Sequence, residues 1–283
     1  MNTKRLSAIA LYVALTVFAI IALVPFAYLL FSAFKSQDTF FTFVFWPTQG
    51  KWWQVDWSGL TVKHFVTLFT DAGVARATVN SFFFASVTAI LATLCSAMCG
   101  YALAKYRFAG RSALLWLVLG ALAIPAALLI APGYQVVYWL GLLDNYAGLI
   151  LPAIAPAFGV YLFRQAFIAS MPDEMIEAAR VDGCGEVRLF FTIALPMVRP
   201  MIGAFLLITY LGTWNNFIAP QIIIQSQEKL PLSVFVAQLR GPYGTEYGMI
   251  MAGTLVAIFP VLVLFLLLQR DFIAGLTAGA VKG

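Results

Sequence analysis

Charge is scarce in this sequence. Only 10% of its 283 residues are Asp, Glu, Lys or Arg, while 62% are hydrophobic and the mean hydropathy is +0.92. Soluble domains carry about 25% charged residues, so a water-soluble globular fold is excluded and an integral membrane protein is expected. Histidine occurs once, at His64, which leaves no ligand set for a metal. The three cysteines make no disulfide framework: Cys95 and Cys99 stand one helical turn apart in an apolar run and Cys184 stands far from both, so each reads as a small packing residue. No G-x-x-x-x-G-K-[ST] loop, His-Glu-x-x-His helix or nucleophile elbow occurs, so the chain is expected to bind no cofactor itself and to catalyse nothing alone. Asp, Glu, Lys and His are also missing from the middle of every long apolar run, which argues against a carrier driven by protons or sodium.

What the chain has instead is apolar length. Six runs, at roughly 20 residues each, are long enough to cross about 30 Å of hydrocarbon: Leu6 to Phe34, Thr78 to Ala104, Ala113 to Ile130, Tyr146 to Phe167, Met201 to Ile224 and Tyr247 to Leu268. They are continuous rather than alternating, so the expected fold is an all-α integral membrane protein with six transmembrane helices, not a barrel. Lys and Arg divide eleven to six between the two sides that six spans define; the acidic residues divide evenly, so the net charge of +5 lies on the first side. That side holds both termini and is expected to be cytoplasmic, in a bacterial or archaeal cytoplasmic membrane. Its basic balance suits anionic lipid, and no nucleic-acid partner is implied. Lys4 and Arg5 imitate a signal peptide, but the run that follows is longer than an h-region and is expected to stay as an anchor.

Residues 1–77 are read as a first span plus a loop on the far side, and 78–283 as the membrane core. In the loop, Trp46, Trp52, Trp53 and Trp57 suit either an interfacial aromatic belt or a stacking surface for a sugar or partner protein. Ala92, Ser96, Gly100 and Ala104 repeat every fourth residue and form a helix-packing face. Pro125, Pro132, Pro152, Pro156 and Gly159 interrupt the third and fourth spans, as kinks or as the border of a cavity.

The charged island is Ser170 to Pro200, SMPDEMIEAARVDGCGEVRLFFTIALPMVRP. Ser170 with Asp173 imitates a capping box, Pro172 suits a first turn, Asp173 and Glu174 favour a helix N-terminus, and Arg180 lies in the last turn. Gly183 and Gly185 predict a left-handed stop. Val187, Phe190, Phe191 and Ala194 then predict a second amphipathic helix that Pro196 ends. The island resembles the EAA loop of the membrane subunits of prokaryotic ABC importers. Glu177, Ala178 and Ala179, then Gly183, then Ile193, Leu195 and Pro196 stand at that family's spacing. The resemblance implies a type I importer permease fold and a loop that docks on an ATP-hydrolysing subunit. It assigns the coupling to Glu177, Ala178, Ala179, Asp182, Gly183, Phe190, Ile193, Leu195 and Pro196, with Phe190 and Phe191 as the apolar surface against the ATPase or the permease's own span ends.

In the fifth span Thr209, Tyr210, Trp214, Asn215 and Asn216 form the most polar patch within the apolar runs. Amides, hydroxyls and an indole suit a neutral polyhydroxylated solute, and interhelical hydrogen bonding explains them as well. Residues 214–220 and the stretch from 225 to the end resemble the carbohydrate branch of these permeases, specifically the second permease of maltose-type systems. That resemblance implies contact with an extracytoplasmic binding protein through Leu230, Pro231, Gly241, Tyr243 and Gly244. It implies an ATPase-interface tail at Gly275, Leu276, Thr277, Gly279 and Lys282. The partners it implies are two ATP-binding subunits, which carry ATP and Mg, a second homologous permease and the binding protein. The function expected is the permease subunit of an ATP-driven sugar importer; the alternative is a stand-alone carrier or channel for a neutral polar solute.

Overall fold

The computed structural model describes residues 3–51, 53–240 and 246–278, and the chain divides into two compact units. One joins Met1–Ala75 to Phe235–Pro260; the other joins Arg76–Val234 to Val261–Gly283. Among the described residues four helices are long and apolar enough to cross a membrane, or up to six spans if each of two bent helix pairs counts as one. Among the described residues the only β structure is two isolated bridges, Lys35 with Leu60 and Thr48 with Val55.

In the first unit, α1 (Thr3–Ser32) leads into a loop built around Lys35. This lysine is fully buried. An ammonium taken out of water costs several kcal/mol unless acceptors replace its hydration. Here Nζ donates to the carbonyls of Phe43 at 2.6 Å and Val44 at 2.8 Å and lies over the rings of Tyr28 and Phe40. Burial holds its pKa below the ordinary lysine range. Helix α2 (Lys63–Thr70) brings His64 to the same place, its Nε2 2.9 Å from the Lys35 carbonyl oxygen. Of the tryptophans, Trp46 packs edge-on against Phe31, Trp53 lies under the Lys51 ammonium, and Trp57 is 77% exposed. Trp52 lies outside the described residues.

The second unit is organised by α3 (Val74–Lys105). Its predicted small-residue face is in contact: Ala92 and Ser96 are fully buried, and a Cβ on Gly100 would lie 2.7 Å from the Arg164 backbone nitrogen. The third span is α4 (Arg111–Leu122), then a break at Pro125, a 3-10 turn and α5 (Ile130–Trp139), with a bend of 103°. Pro132 falls in the first turn of α5, where its missing N–H costs nothing. The fourth span is α6 (Tyr146–Ile150), a 3-10 turn holding Pro152, and α7 (Ala157–Ser170) after Pro156. Gly159 lets α7 approach closely, since a Cβ there would meet Ser96 Oγ and the Phe205 ring at 2.4 Å.

After the island helices α8 (Asp173–Val181), α9 (Glu186–Leu189) and α10 (Leu195–Met197), α11 (Arg199–Trp214) carries the fifth apolar run and reaches spanning length only together with Glu186–Met197 before its bend. That helix is shorter than the expected Met201 to Ile224: α11 stops at Trp214, Asn215 caps it, and a separate α12 (Ile218–Ile223) follows. The short α13 (Leu232–Gln238) precedes α14 (Tyr247–Ala278), which continues ten residues past the expected end of the sixth span.

Candidate functional site

The island folds as a helix, a glycine turn and a second helical stretch. Pro172 is the N-cap of α8 rather than its first residue, and no side chain caps the helix. Ser170 is the last residue of α7, so the expected capping box does not form. Asp173 turns instead to α3, where Lys105 Nζ donates to Oδ1 at 2.7 Å and also to the Met171 carbonyl oxygen. That hydrogen bond, and then the lysine charge, hold the Asp173 carboxyl below the usual carboxylate range.

Gly183 ends α8 with φ +77°. Its N–H donates to the Arg180 carbonyl at 3.0 Å and that of Cys184 to the Ala179 carbonyl at 2.9 Å. These are the two reversed bonds of a Schellman stop, which needs a left-handed residue at this point. Gly185 has φ −70° and serves as the N-cap of α9, so only one glycine makes the turn.

Beyond α9 the helix widens into a π turn over Phe190–Ala194 before α10. Pro196 does not stop this stretch: it sits in the first turn of α10, and the chain bends by 82° into α11 around Val198. The π turn also rotates the faces that a 3.6-residue period predicts. Leu189, Phe190 and Ala194 are buried, whereas Val187 is 74% exposed. Phe190 packs on Tyr101 of α3 with ring centroids 5.4 Å apart, so it belongs to the chain's own core and not to a docking surface; Phe191 is 48% exposed. Ile193 and Leu195 are partly buried against the same cluster, which runs from Phe163 and Phe167 through Ile176 to Phe190.

A polar clasp closes the hairpin. Arg180 Nε donates to Glu186 Oε1 at 2.7 Å, Tyr106 at the end of α3 donates its hydroxyl to the other Glu186 oxygen, and the guanidinium lies over the Tyr106 ring. Burial, and then the bond to Glu186, raise the Tyr106 phenol well above its ordinary range, so it stays a donor. On α8 only Ile176 and Ala179 are buried, and the open face includes Glu174, Glu177, Ala178 and Val181 at i, i+3, i+4, i+7, with Asp182 and Val187 beside them. Val181 is 87% exposed. Sequence placed Val187 on the apolar stripe of the second helix, where the fold instead exposes it, and did not select Val181, which stands seven residues after Glu174 on the open face. Ala179 is buried in the core, and its carbonyl accepts the Cys184 N–H of the turn.

The polar patch of the fifth span does not converge. Tyr210 and Trp214 are buried and stacked at 5.9 Å, and Asn215 folds its amide back onto the Leu211 carbonyl at 2.9 Å. Thr209 is half-buried. Asn216 alone of the five lines a cavity of about 450 Å³, together with Tyr134, Gly133, Pro152 and Ile222, at the breaks of the third, fourth and fifth spans. Sequence reasoning did not select Tyr134. Leu230 and Pro231 are buried and hold their segment in place rather than offering side chains outward. Gly241, Tyr243 and Gly244 lie outside the described residues, as do Gly279 and Lys282 of the tail; Gly275, Leu276 and Thr277 belong to the last turns of α14.

Comparison with known proteins agrees with this architecture. The chain is 41% identical over 229 residues to the arabinooligosaccharides transport system permease protein AraQ of Halalkalibacterium halodurans, covering 81% of this chain and 82% of that protein. It is 31% identical over 279 residues to the lactose transport system permease protein LacG of Rhizobium radiobacter, covering 99% and 98%. Its fold matches a chain in the crystal structure of a bacterial ABC transporter involved in the import of the acidic polysaccharide alginate. That match has a TM-score of 0.82 at 21% identity, over 96% of this chain and 98% of the other. Residues 92–271 match the family described as binding-protein-dependent transport system inner membrane component. The chain is therefore a multi-pass protein of the cytoplasmic membrane and belongs to the family of binding-protein-dependent transport system inner membrane components.

Proposed function

We propose that this chain is the permease subunit of an ATP-driven, binding-protein-dependent importer for a neutral di- or oligosaccharide. The observation that carries the reading is the hairpin at 170–200. It is rigidly keyed to α3 through Lys105, Tyr106 and Phe190, yet it leaves the Glu174–Val181 stripe of α8 open for a partner. The relatives named for arabinooligosaccharide and lactose transport support a sugar as cargo. The uncharged Asn216 and Tyr134 in the cavity are compatible with one.

In this reading the basic side, with both termini and the hairpin, faces the cytoplasm. Residues 78–283 form the transport core and 1–77 an anchor with an outer loop. Two ATP-hydrolysing subunits carry ATP and Mg, a second permease completes the pathway, and a solute-binding protein delivers the sugar outside. Glu177, Ala178, Val181 and Asp182 meet the ATPase; Gly183, Ile193, Leu195 and Pro196 shape the hairpin behind them; the tail from Gly275 to Lys282 lies toward the ATPase pair. Closure of that pair on ATP pushes α8, and the clasp at Tyr106 passes the push to α3.

Reconstitution of the complex in proteoliposomes, with uptake of labelled sugars and ATP hydrolysis read together, tests this reading. Uptake that requires ATP and the binding protein is expected; uptake by the isolated chain without ATP would overturn it.

A further inference from the structure

The segment 223–232 is held by hydrogen bonds from three other parts of the chain, and Asp144 makes more of them than any other residue outside it. Asp144 sits in the turn after α5 with φ +53°, a left-handed conformation that aspartate tolerates better than most side chains. Its N–H donates to the Ile223 carbonyl at 2.8 Å. Its Oδ1 accepts from the backbone nitrogens of Gln225 at 3.0 Å and Ser226 at 2.8 Å. Its Oδ2 accepts from Ser226 Oγ and from Lys229 Nζ at 2.8 Å, and the same ammonium reaches the Asp144 carbonyl at 2.6 Å.

Two further elements grip the same segment. From the start of α3, Asn80 Nδ2 donates to the carbonyls of Glu228 at 2.9 Å and Leu230 at 3.1 Å, and Ser81 Oγ accepts from the Leu232 N–H at 2.7 Å. From α6, the Tyr146 hydroxyl donates to the Lys229 carbonyl at 2.8 Å. With Leu230 and Pro231 buried beneath, the segment turns outward a polar edge of Gln225, Gln227 and Glu228, the last paired with the exposed Arg76 at 3.1 Å, and leaves the Lys229 side chain half-buried beside it. Two exposed amides beside two ion pairs that neutralise themselves, Arg76 with Glu228 and Lys229 with Asp144, leave no excess of positive charge for an anionic lipid surface. They suit the polar rim of a protein interface, and a preformed edge lowers the ordering cost of binding.

We infer that Asp144 is a positioning residue that presets this edge for docking of the solute-binding protein. The inference rests on the function proposed above. Asp144 acts through the segment: it does not face the partner, and its carboxylate is consumed by bonds within the chain. Replacing it leaves the docking surface chemically intact but lets it move, so the effect falls on affinity for the binding protein and not on the hydrolytic cycle.

The test uses the whole complex in lipid nanodiscs, with ATP hydrolysis titrated against sugar-loaded binding protein. Asp144→Asn keeps the shape and the left-handed tolerance but loses the charge pair; Lys229→Met keeps the aliphatic stem and loses the ammonium. For both, the half-saturating concentration of binding protein is expected to rise about tenfold, which is about 1.4 kcal/mol. Basal hydrolysis and the maximal stimulated rate should stay within about twofold of the native complex. An unchanged half-saturation, or a fall in maximal rate alone, overturns the inference. If Asp144→Asn does not assemble, Lys229→Met decides; if neither assembles, the clasp serves folding and the inference is wrong. Failure of the binding protein to stimulate the native complex would instead sink the proposed function.

Discussion

Arg180 and Glu186 face each other across the Gly183 turn at 2.7 Å, and the same Glu186 carboxylate takes the Tyr106 hydroxyl from the end of α3. One carboxylate thus joins both arms of the hairpin to the end of the second span. A push on α8 therefore has a short, bonded route to α3, and the turn that sets the angle between the arms is part of that route.

The turn itself is the first place to test. A Cβ on Gly183 would meet nothing within 4 Å, so the cost of a substitution is purely that of the left-handed backbone. Gly183→Ala should destabilise the hairpin by about 1 to 2 kcal/mol, and a β-branched residue by more. The spans should remain folded while the ratio of sugar moved to ATP hydrolysed falls, most for Gly183→Val. Thermal melting and the transport-to-hydrolysis ratio read the two effects separately.

Phe190 and Val187 should behave oppositely. Phe190 is 6% exposed within the Tyr101 cluster, and Phe190→Ala should cost about 3 to 5 kcal/mol and lower the yield of folded protein. Val187 is 74% exposed, and Val187→Ala should leave melting unchanged within about 0.5 kcal/mol. Equal loss of folded protein in both variants would contradict the buried orientation of Phe190.

Acid should release the hairpin from α3 in a defined direction. The folded pKa of Asp173 lies below its unfolded value of about 4, so the Lys105 pair contributes fully at neutral pH. Its contribution is lost as pH falls through the folded pKa. Asp173→Asn should therefore lower the melting temperature by the same amount throughout about pH 6 to 8. The gap from the native chain should close in stronger acid. A gap that widened on acidification would reverse the assigned sign.

Within the cavity, Asn216 and Asn215 are distinguishable. Asn216→Ala should reduce sugar uptake severalfold with assembly and basal hydrolysis intact, because its side chain lines the cavity. Asn215→Ala removes an amide already bonded to its own helix and should leave uptake near normal. Uptake assays on the two variants, at matched protein, separate solute contact from helix packing.

Much of this architecture was legible because it is written in local pattern. The six spans follow from apolar length, the Ala92–Gly100 face from small residues at every fourth position, and the turn from Gly183. What was not legible depends on contacts distant in sequence. Asp173 reads as half of a capping box, yet its partner is Lys105 at the end of the second span; Asp144 gives no local sign of its bonds to Ser226 and Lys229. For Phe190 the pattern leaves two partners open, the ATPase or the chain's own span ends, because periodicity marks a stripe but not what the stripe meets; the fold packs Phe190 on Tyr101 of α3, while Val187 of the same stripe is exposed and Leu189 outside it is buried. Pro196 reads as a stop, but at the start of a new helical turn it is tolerated, and the bend falls two residues later.

The central claim, that residues 170–200 seat this chain on an ATPase, is tested most directly by co-purification with that ATPase in mild detergent. Val181 is 87% exposed and takes no part in the core, so Val181→Asp changes the proposed contact and little else. The native chain is predicted to retain the ATPase at a fixed ratio, and Val181→Asp combined with Glu177→Arg to lose it at an unchanged melting temperature. Full retention of the ATPase by that double variant would contradict the account.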